Sequence, residues 1–239
     1  MKAIVLAAGK STRLYPLTAS LPKCLLNIAD KAIIDYQIEA LVAAGLKEMV
    51  IVIGFQKEMI VDHLARKKYP IQITYIEDPK YEVSNPIRSL WCAREHLNDR
   101  IIFFHCDVLF SKDALLLLLD HPNESAMLYR ERQWDVEAGK IIVDPSGQVL
   151  ELGKHIEESR ATGEYLQIAK FDSDFSQRLK TVLEDYMQTK RDGYTIDAFN
   201  EVVKDGSIRA IGVPFDGLSM EVDTVEDYET AKRKWKDAL

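Results

Sequence analysis

The sequence predicts an α/β fold with a mainly parallel, Rossmann-like sheet flanked by helices. Residues 3–6 form a continuous apolar run that stops at Ala8-Gly9, which is typical of a strand buried on both faces. Similar runs follow at residues 49–53 and 101–104, and segments with helical spacing lie between them. This alternation indicates βαβ units, whose loops after each strand meet at one edge of the sheet.

Helix caps support the elements of the first half. Gly45 stands where a helix ends, and Asn85 precedes Pro86 as the cap and first turn of another helix. The five leucines at residues 115–119 form a buried helix face, because charged residues bracket them. The remaining elements predicted here are helices at residues 33–44, 57–68 and 86–96 and a strand at residues 71–76.

The second half has a different pattern. Residues 141–143 and 149–150 flank a Pro/Gly turn and predict a hairpin. The other predicted elements are a strand at 163–171, helices at 174–187 and 195–203, an extended segment at 208–213 and a closing helix at 225–235. We therefore expect one domain over residues 1–239, in which a hairpin-rich subregion covers the substrate. Its two halves divide at about residue 125.

Composition and charge exclude several classes of protein. The net charge is −7 and no basic run exceeds Arg66-Lys67-Lys68, so a nucleic-acid partner is not expected. No segment approaches the roughly 20 apolar residues that a membrane span needs, so membrane insertion is not expected either. The three cysteines are widely spaced and form no CxxC pair, which fits a reducing cytoplasm better than a disulfide framework or a zinc site.

The loop after the first strand carries the chemistry of a phosphate site. Small residues there let backbone N–H groups approach a polyphosphate, and hydroxyl groups add donors. Arg13 can fork two donors onto phosphate oxygens, and Lys23 adds a compact second charge. The alternative is a turn whose basic residues are incidental. The close spacing of glycine, hydroxyl groups, arginine and lysine after the first strand argues against that alternative. The predicted nucleotide-binding residues of the loop are Leu6, Ala7, Ala8, Gly9, Ser11 and Thr12.

This segment is neither a Walker A loop nor a GxGxxG fingerprint. Residues 6–26 instead resemble LAAGxGTRLxPLTxxxPKxLL, the signature of the nucleoside-triphosphate-dependent sugar-phosphate nucleotidyltransferases and their cytidylyltransferase relatives. The resemblance extends to Asp107 and to Glu221-Val222-Asp223-Thr224, and so covers nearly the whole chain. One departure is Ser11, which replaces the second glycine and leaves less room beside the phosphates. The resemblance implies an enzyme that joins a nucleotide to a phosphorylated acceptor and releases pyrophosphate.

By the same resemblance, Asp107 and Asp223 hold Mg²⁺ as the cofactor. Magnesium prefers one or two carboxylates together with waters and phosphate oxygens. Asp107 follows a buried strand, where a simple strand-end turn is the alternative, and Asp223 precedes a predicted helix that it could cap. We expect no catalytic role for His105 or Cys106.

The choice of nucleotide rests on residues 81–90. This segment resembles the N-N-I-x-S-L element of phosphocholine-type cytidylyltransferases, with Pro86 in place of the second asparagine, rather than the glycine-rich stretch of the hexose-1-phosphate enzymes. The resemblance places Asn85 and Ser89 near the base or ribose, although Asn85 reads equally well as a helix cap. CTP is therefore favoured over UTP or dTTP.

The acceptor is expected to be a small phosphorylated or phosphonate compound such as phosphocholine, bound by the second half of the chain. An aromatic wall with carboxylates would suit a trimethylammonium group, although ordinary packing explains each aromatic residue as well. Segments that resemble the family's substrate-facing stretches supply candidate polar residues. The candidates are Tyr129, Trp134, Lys154, Glu164, Lys170, Tyr194 and Asp197.

The predicted reaction is attack by an acceptor oxygen on the α-phosphorus of CTP. Arg13 would hold the leaving pyrophosphate, and Lys23 would bridge the α-phosphate and the incoming oxygen. A hexose-1-phosphate uridylyl- or thymidylyltransferase is one alternative, and a catalytically silent nucleotide-sensing module is another. The sequence leaves the oligomeric state open between monomer and homodimer.

Overall fold

A computed structural model of the chain describes residues 1–83, 85–122, 124–131 and 138–238. Its α-helices match the predicted helical segments closely. They are α1 (Ile33–Ala43), α2 (Lys57–Lys67), α3 (Pro86–Cys92), α4 (Lys112–Asp120), α5 (Ser173–Thr189), α6 (Thr195–Lys204) and α7 (Val225–Ala238). Helix α3 is shorter than predicted, because the chain tightens after Cys92 into a 3₁₀ turn at Arg94–His96.

The strands form one large sheet and two small ones. They are β1 (Lys2–Ala7), β2 (Asn27–Ile28), β3 (Lys31–Ala32), β4 (Glu48–Ile53), β5 (Gln72–Glu77), β6 (Ile101–His105), β7 (Val108–Phe110), β8 (Ala126–Arg130), β9 (Lys140–Val143), β10 (Val149–Gly153), β11 (Gly163–Phe171), β12 (Ile211–Pro214) and β13 (Ser219–Glu221). The large sheet has nine strands, with the central path β10-β9-β11-β6-β1-β4-β5, and β8 pairs with both β11 and β12.

The centre of this sheet is parallel, as predicted. Strand β1 pairs in parallel with β4 on one side and with β6 on the other, and β4 pairs in parallel with β5. Successive side chains of β1 enter opposite faces: Ala3 and Val5 join the core beneath α1, α2 and α4, whereas Ile4 and Leu6 join the core beneath α3, α5 and α6. Helices on both faces of a largely parallel sheet confirm the predicted fold class.

The second half extends the same sheet with antiparallel strands. The predicted hairpin is present as β9 and β10, and the predicted strand at residues 163–171 is β11, which pairs with β6, β8 and β9. The sequence did not predict β8 or the short strands β2, β3 and β7, and the last three span only two or three residues, too few for a readable alternation. One sheet therefore runs through both halves of the chain.

Helix α7 packs back onto the first half of the chain. Trp235 is buried and meets Tyr36 of α1 edge to face, with ring centroids 6.5 Å apart. The Tyr228 hydroxyl donates to the carbonyl oxygen of Asn27 at 3.0 Å. The end of the chain is thereby fixed against β2 and α1. Among the described residues, none of the helices has the length and apolar character that crossing a bilayer requires.

Asp35 is a charged residue at the centre of the packing between α1 and α2. Its side chain is 1% exposed and accepts hydrogen bonds from Tyr69 (2.8 Å) and from Nε2 of His63 (2.7 Å), while Lys67 lies 3.0 Å away. Burial raises the pKa of Asp35, but these partners outweigh burial, so its pKa lies below the usual range. The carboxylate is therefore part of the packing.

We expect Asp35→Asn to lower the free energy of unfolding at pH 7 by about 1–3 kcal/mol, because it removes the buried charge that His63, Lys67 and Tyr69 contact. The pKa of Asp35 is lower in the folded protein, so its contribution is present above about pH 3.9 and fades as pH falls below that value. Urea unfolding should show a smaller difference in the free energy of unfolding between wild type and variant near pH 3.5 than at pH 7.

Asp62→Asn, which changes an exposed carboxylate on α2, is the control and should leave stability within about 0.5 kcal/mol. An Asp35→Asn protein as stable as wild type at pH 7 would contradict the structural role of Asp35.

Candidate active site

The pairing of β1 with β6 brings the first loop and Asp107 together. Leu6 lies opposite His105 in this parallel pair, and the next amide, that of Cys106, donates to the Leu6 carbonyl oxygen at 3.1 Å. Asp107 therefore follows at the same edge at which the loop leaves β1. This is the carboxyl edge of the parallel strands, where open α/β sheets bind their ligands.

Gln37 fixes the backbone around Asp107. This fully buried residue of α1 donates from Nε2 to the carbonyl oxygens of His105 (2.9 Å) and Val108 (2.7 Å). Both oxygens belong to residues that flank Asp107 closely. The position of the Asp107 backbone therefore depends on a helix far from it in sequence.

A second pairing brings Asp223 to the same place. Strand β13 runs antiparallel to β7, and the Val222 amide donates to the Asp107 carbonyl oxygen at 3.0 Å. Helix α7 is capped by Thr224 and Asp227: Thr224 Oγ1 accepts from the Asp227 amide, and Asp227 accepts from the amides of Asp223 and Thr224. The Asp223 carboxylate itself is thus left for other partners.

The Lys23 ammonium lies between the two carboxylates. Its Nζ is 3.0 Å from Oδ2 of Asp107 and 2.5 Å from Oδ1 of Asp223, and its side chain is only 6% exposed. Burial lowers the pKa of Lys23, but the charges of Asp107 and Asp223 outweigh burial and raise its pKa above the usual range. Burial also raises the pKa of Asp107, yet Lys23 brings it below its usual value. Lys23 and Asp107 therefore form a pair of opposite charges near neutral pH.

Arg13 extends this set of charges towards solvent. Its Nη2 donates to Oδ2 of Asp223 at 2.7 Å, and its side chain is 58% exposed. Asp223 thus contacts two cations through its two oxygens. The order Arg13, Asp223, Lys23, Asp107 forms a continuous row of alternating charge, which we call the charge row.

The loop before the charge row is held in an unusual backbone conformation. Ser11 has φ 51° and ψ 51°, in the left-handed region where glycine is favoured. The Ser11 carbonyl oxygen accepts from the Leu14 amide (3.1 Å) and from the hydroxyl of the fully buried Thr18 (2.8 Å), and Thr12 begins the 3₁₀ turn that follows. A side chain added to Gly9 would point into open space. The loop therefore presents its backbone to a cavity.

That first cavity has a volume of about 160 Å³ and lies against the loop. It gathers most of the residues that the sequence proposed for nucleotide binding, together with Lys23 and Asp107. Its lining is Leu6, Ala7, Ala8, Gly9, Ser11, Lys23, Cys24, Tyr81, Asn85, Pro86, Ser89, His105, Cys106 and Asp107. Thr12 and Arg13 lie outside this lining.

The polar residues on the α3 side of the cavity already have protein partners. Asn85 caps α3, since its Oδ1 accepts from the Arg88 amide at 3.0 Å, and its Nδ2 donates to Asp192 at 2.6 Å. The Ser89 hydroxyl donates to Asp78 at 2.8 Å. The helix-cap interpretation of Asn85 is thus confirmed, and contact with a nucleotide stays a prediction for both residues.

His105 and Cys106 each have a partner within the protein, and their lack of a catalytic role stays a prediction. Nε2 of His105 is 2.9 Å from the Thr195 hydroxyl, and burial lowers the pKa of His105. The hydrogen bond between the Cys106 thiol and Cys24, followed by burial, raises the pKa of the Cys106 thiol. A neutral imidazole and a protonated thiol supply neither charge nor nucleophile at neutral pH.

A second cavity of about 470 Å³ lies on the other side of the charge row. Its lining includes Lys154 and Glu164, two of the residues proposed for the acceptor. The full lining is Arg13, Arg130, Ala138, Gly139, Lys154, Glu164, Gln167, Met220, Glu221, Asp223, Thr224 and Asp227. Burial raises the pKa of Glu221 to about 8, and the charges of Asp107 and Asp223 add to this effect.

Other residues proposed for the acceptor lie outside this lining. Tyr129 is buried in β8, Tyr194 lies at the start of α6 with Lys154 Nζ over its ring, and Asp197 caps α6 by accepting from the Tyr194 amide. Lys170 is buried at the far end of β11 and donates to the His121 carbonyl oxygen. Trp134 lies outside the described residues.

The carboxylates of the site fit a divalent cation. Within the part of the chain that the structure describes, Oδ1 of Asp107 is buried and has no hydrogen-bond partner. The same residues contain no cluster of three or more His, Cys, Asp or Glu side chains that could enclose a metal ion. Two carboxylates with a spare oxygen suit Mg²⁺, which takes most of its ligands from waters and phosphates.

Several residues of the site were not proposed from the sequence. Gln37, Asp78 and Arg130 carry no motif, because each acts through a contact across the fold. Gly54 follows β4 directly, and a Cβ there would lie 2.8 Å from the Ala8 carbonyl oxygen and 2.6 Å from Cβ of Tyr81. Only glycine lets β4 end so close to the first loop.

Comparison with known proteins places this site in a family. The model of the nucleotidyl transferase family matches residues 2–211. The chain is 28% identical to a CTP:phosphoglutamine cytidylyltransferase from Campylobacter jejuni over 98% of the chain and 100% of that protein. It is 26% identical to a UTP–glucose-1-phosphate uridylyltransferase from Haloferax volcanii, over 99% of the chain and 97% of that protein.

A choline-phosphate cytidylyltransferase from Streptococcus pneumoniae is 28% identical over 95% of both chains. A solved structure of a CTP:phosphocholine cytidylyltransferase from the same organism superposes with a TM-score of 0.79, at 24% identity and 98% coverage of both chains. The structural match shows the fold. The family model and the sequence relatives confirm the resemblance drawn from residues 6–26.

We expect Ser11→Gly to raise the free energy of unfolding by about 0.5–1 kcal/mol. Relief of the left-handed strain outweighs the greater entropy that glycine loses on folding. Ser11→Val should instead lower it by about 1–3 kcal/mol and slow pyrophosphate release, because a β-branched residue resists φ 51°. Thermal unfolding and a coupled pyrophosphate assay measure both effects.

Ser20→Gly is the matched control, since Ser20 is exposed and has no positive φ. That change should be neutral or slightly destabilising. A Ser11→Gly protein that unfolds more easily than wild type would contradict the strain assigned to Ser11.

Proposed function

The chain belongs to the nucleotidyl transferase family, and from that premise we propose that it transfers the cytidylyl group of CTP to a small phosphorylated or phosphonate acceptor, with Mg²⁺ as the cofactor. As a nucleotidyltransferase it releases pyrophosphate, so the catalytically silent sensing alternative is set aside. The nucleotide, the acceptor, the metal and the residue roles below belong to the proposal.

The charge row between two cavities is the observation that carries the proposal. Lys23 and Asp107 line the first cavity, whereas Arg13 and Asp223 line the second. The ion pairs of Lys23 with both aspartates join the two walls at one point. A nucleotide in the first cavity and an acceptor in the second would therefore meet at the Lys23 ammonium.

The relatives favour CTP. Two of the three relatives described above are cytidylyltransferases, and the Haloferax relative uses UTP with glucose 1-phosphate. The segment from Asn85 to Ser89 resembles the cytidylyltransferase element and lines the first cavity. A uridylyl- or thymidylyltransferase for a hexose 1-phosphate therefore remains the second candidate, supported by the Haloferax relative.

The proposed reaction needs positioning and charge rather than a protein nucleophile. An acceptor oxygen, already anionic, attacks the α-phosphorus in line and forms a new P–O bond. The bond from that phosphorus to the bridging oxygen breaks, and pyrophosphate leaves with the electron pair. Lys23, fixed by two carboxylates, would neutralise charge on the α-phosphate and the incoming oxygen, while the exposed Arg13 would hold the pyrophosphate.

Asp107 and Asp223 would hold the metal. Oδ1 of Asp107, which has no hydrogen-bond partner among the described residues, supports this assignment. Thr224 and Asp227 provide the cap of α7, which leaves the Asp223 carboxylate available as a second ligand. When bound, Mg²⁺ would withdraw charge from the phosphate oxygens.

The second cavity supports an acceptor that carries both signs of charge. Arg130 and Lys154 offer cations and Glu164 offers a carboxylate, while the described lining includes no aromatic side chain. Arg130 is held in place by donating to the carbonyl oxygens of Gly217 and Ser219. A phosphate or phosphonate bearing an amine would find partners at both ends.

We predict that Arg13→Ala and Lys23→Ala each lower kcat by a factor on the order of 10²–10³, because each removes a preorganised cation from the transferred charge. Pyrophosphate release from CTP, measured with the best acceptor and Mg²⁺, gives kcat. Circular dichroism should first show that each variant is folded, since Lys23→Ala leaves two carboxylates facing each other.

Arg66→Ala is the matched control, because Arg66 is an exposed cation on α2 away from both cavities. Its kcat should equal that of wild type. Unchanged turnover in folded Arg13→Ala or Lys23→Ala protein would refute the assigned roles.

We also predict that turnover requires CTP and a zwitterionic acceptor. Each of CTP, UTP, dTTP and ATP should be tested with phosphocholine, 2-aminoethylphosphonate, phosphoglutamine, inositol 1-phosphate and glucose 1-phosphate. Phosphocholine, 2-aminoethylphosphonate and phosphoglutamine, which each carry a nitrogen cation, should give kcat/KM values at least tenfold above those of inositol 1-phosphate and glucose 1-phosphate. Preferred use of glucose 1-phosphate with UTP or dTTP would support the second candidate instead.

A further inference from the structure

The first cavity has two chemically different ends. Lys23, Asp107 and the backbone at Ser11 form the charged end. The opposite wall, which we call the α3 wall, consists of Tyr81, Asn85, Pro86 and Ser89. A nucleotide whose phosphates lie at the charged end directs its base towards the α3 wall, so the groups there meet the base.

Ser89 presents a fixed hydrogen-bonding pattern at this wall. Its side chain is 7% exposed, and its hydroxyl donates to Oδ2 of Asp78 at 2.8 Å. A serine hydroxyl has one hydrogen and two acceptor lone pairs. Because the hydrogen is directed at Asp78, the Ser89 oxygen can only accept a hydrogen bond from a group in the cavity.

Contacts of Asp78 fix its carboxylate where it accepts the hydrogen of the Ser89 hydroxyl. It is 1% exposed, its Oδ1 accepts from the Lys80 amide at 3.0 Å, and its own amide donates to the Ile53 carbonyl oxygen at 2.9 Å. The carboxylate therefore lies between the end of β4, the turn after β5 and helix α3. Both of its oxygens accept, which leaves Ser89 as the donor of that pair.

We propose that the Asp78–Ser89 pair selects a nucleobase with an exocyclic amino group over one with an oxo group at the same position. Cytosine has an exocyclic N–H at this position, which can donate to the Ser89 oxygen. Uracil has an oxo oxygen at this position, so two hydrogen-bond acceptors would face each other. The inference rests on the proposed function, since it assumes that the first cavity binds a nucleoside triphosphate. Ser89 would contact the base, and Asp78 acts as a positioning residue.

Sequence alone gives no reason to link Asp78 to Ser89, because eleven positions and a turn separate them.

Selectivity between CTP and UTP tests the proposal, measured as the ratio of their kcat/KM values. Ser89→Ala removes the acceptor and should reduce the ratio by a factor on the order of 10, mainly through a lower kcat/KM for CTP. Asp78→Asn keeps the shape, and its amide can accept from Lys80 and donate to Ser89. The Ser89 hydrogen is then free to face the base, so kcat/KM for UTP should rise while that for CTP falls.

Ser176→Ala is the matched control. Ser176 is a fully buried serine in α5, outside the first cavity, and its hydroxyl has no hydrogen-bond partner among the described residues. Its CTP/UTP ratio should equal that of wild type. If Asp78→Asn does not fold, as judged by thermal unfolding, Ser89→Ala alone decides the question.

The possible results distinguish a failure of this inference from a failure of the proposed cytidylyl transfer. Wild-type protein that prefers UTP, or turns over no nucleotide with any acceptor, would overturn the proposed cytidylyl transfer. Wild-type protein that prefers CTP, together with a Ser89→Ala ratio unchanged from wild type, would overturn only the role of the Asp78–Ser89 pair.

Discussion

The contact of one buried ammonium with two carboxylates organises this protein's candidate active site. Lys23 comes from the segment after the first loop, Asp107 from the end of β6 and Asp223 from the segment after β13. A buried lysine is costly unless it is paired, and the two aspartates would repel one another without it. Each group therefore makes the position of the others possible.

Backbone pairing determines where these charges meet. The register of β1 against β6 places Asp107 beside the first loop, and the pairing of β13 with β7 adds Asp223 from near the end of the chain. Gln37 holds the turn around Asp107, and Trp235 of α7 packs on Tyr36 of the same helix α1. The packing of α1 is thus linked to both carboxylates, which connects the stability of the core with the geometry of the site.

The residues that cap helices beside the site also determine which side chains can contact a ligand. Thr224 and Asp227 cap α7, which leaves the Asp223 carboxylate to Lys23 and Arg13. Asn85 caps α3, and Asp197 caps α6 next to Tyr194. Helix capping therefore engages some polar side chains and leaves others available, and this decides which of them can contact a ligand.

The sequence by itself determined the fold class, nearly all the long elements and the family. Apolar periodicity and helix caps are local properties, so they could be read without contacts, and the segment from Leu6 to Leu26 carries its chemistry in consecutive residues. The residues proposed for the nucleotide came from the same segment and from the cap of α3, and most of them line one cavity.

Only the tertiary structure decided which distant groups act together. Short strands such as β7 and β8 lacked a readable pattern, and the bonds from Gln37 to the Asp107 turn and from Ser89 to Asp78 join residues with no shared motif. Of the residues proposed for the acceptor, Lys154 and Glu164 line the second cavity, whereas Tyr129 and Asp197 lie outside it, and a role in acceptor binding stays a prediction for each. The lining of the second cavity comes from side chains on several strands, and the direction of a side chain depends on register and packing, which the order of residues does not state.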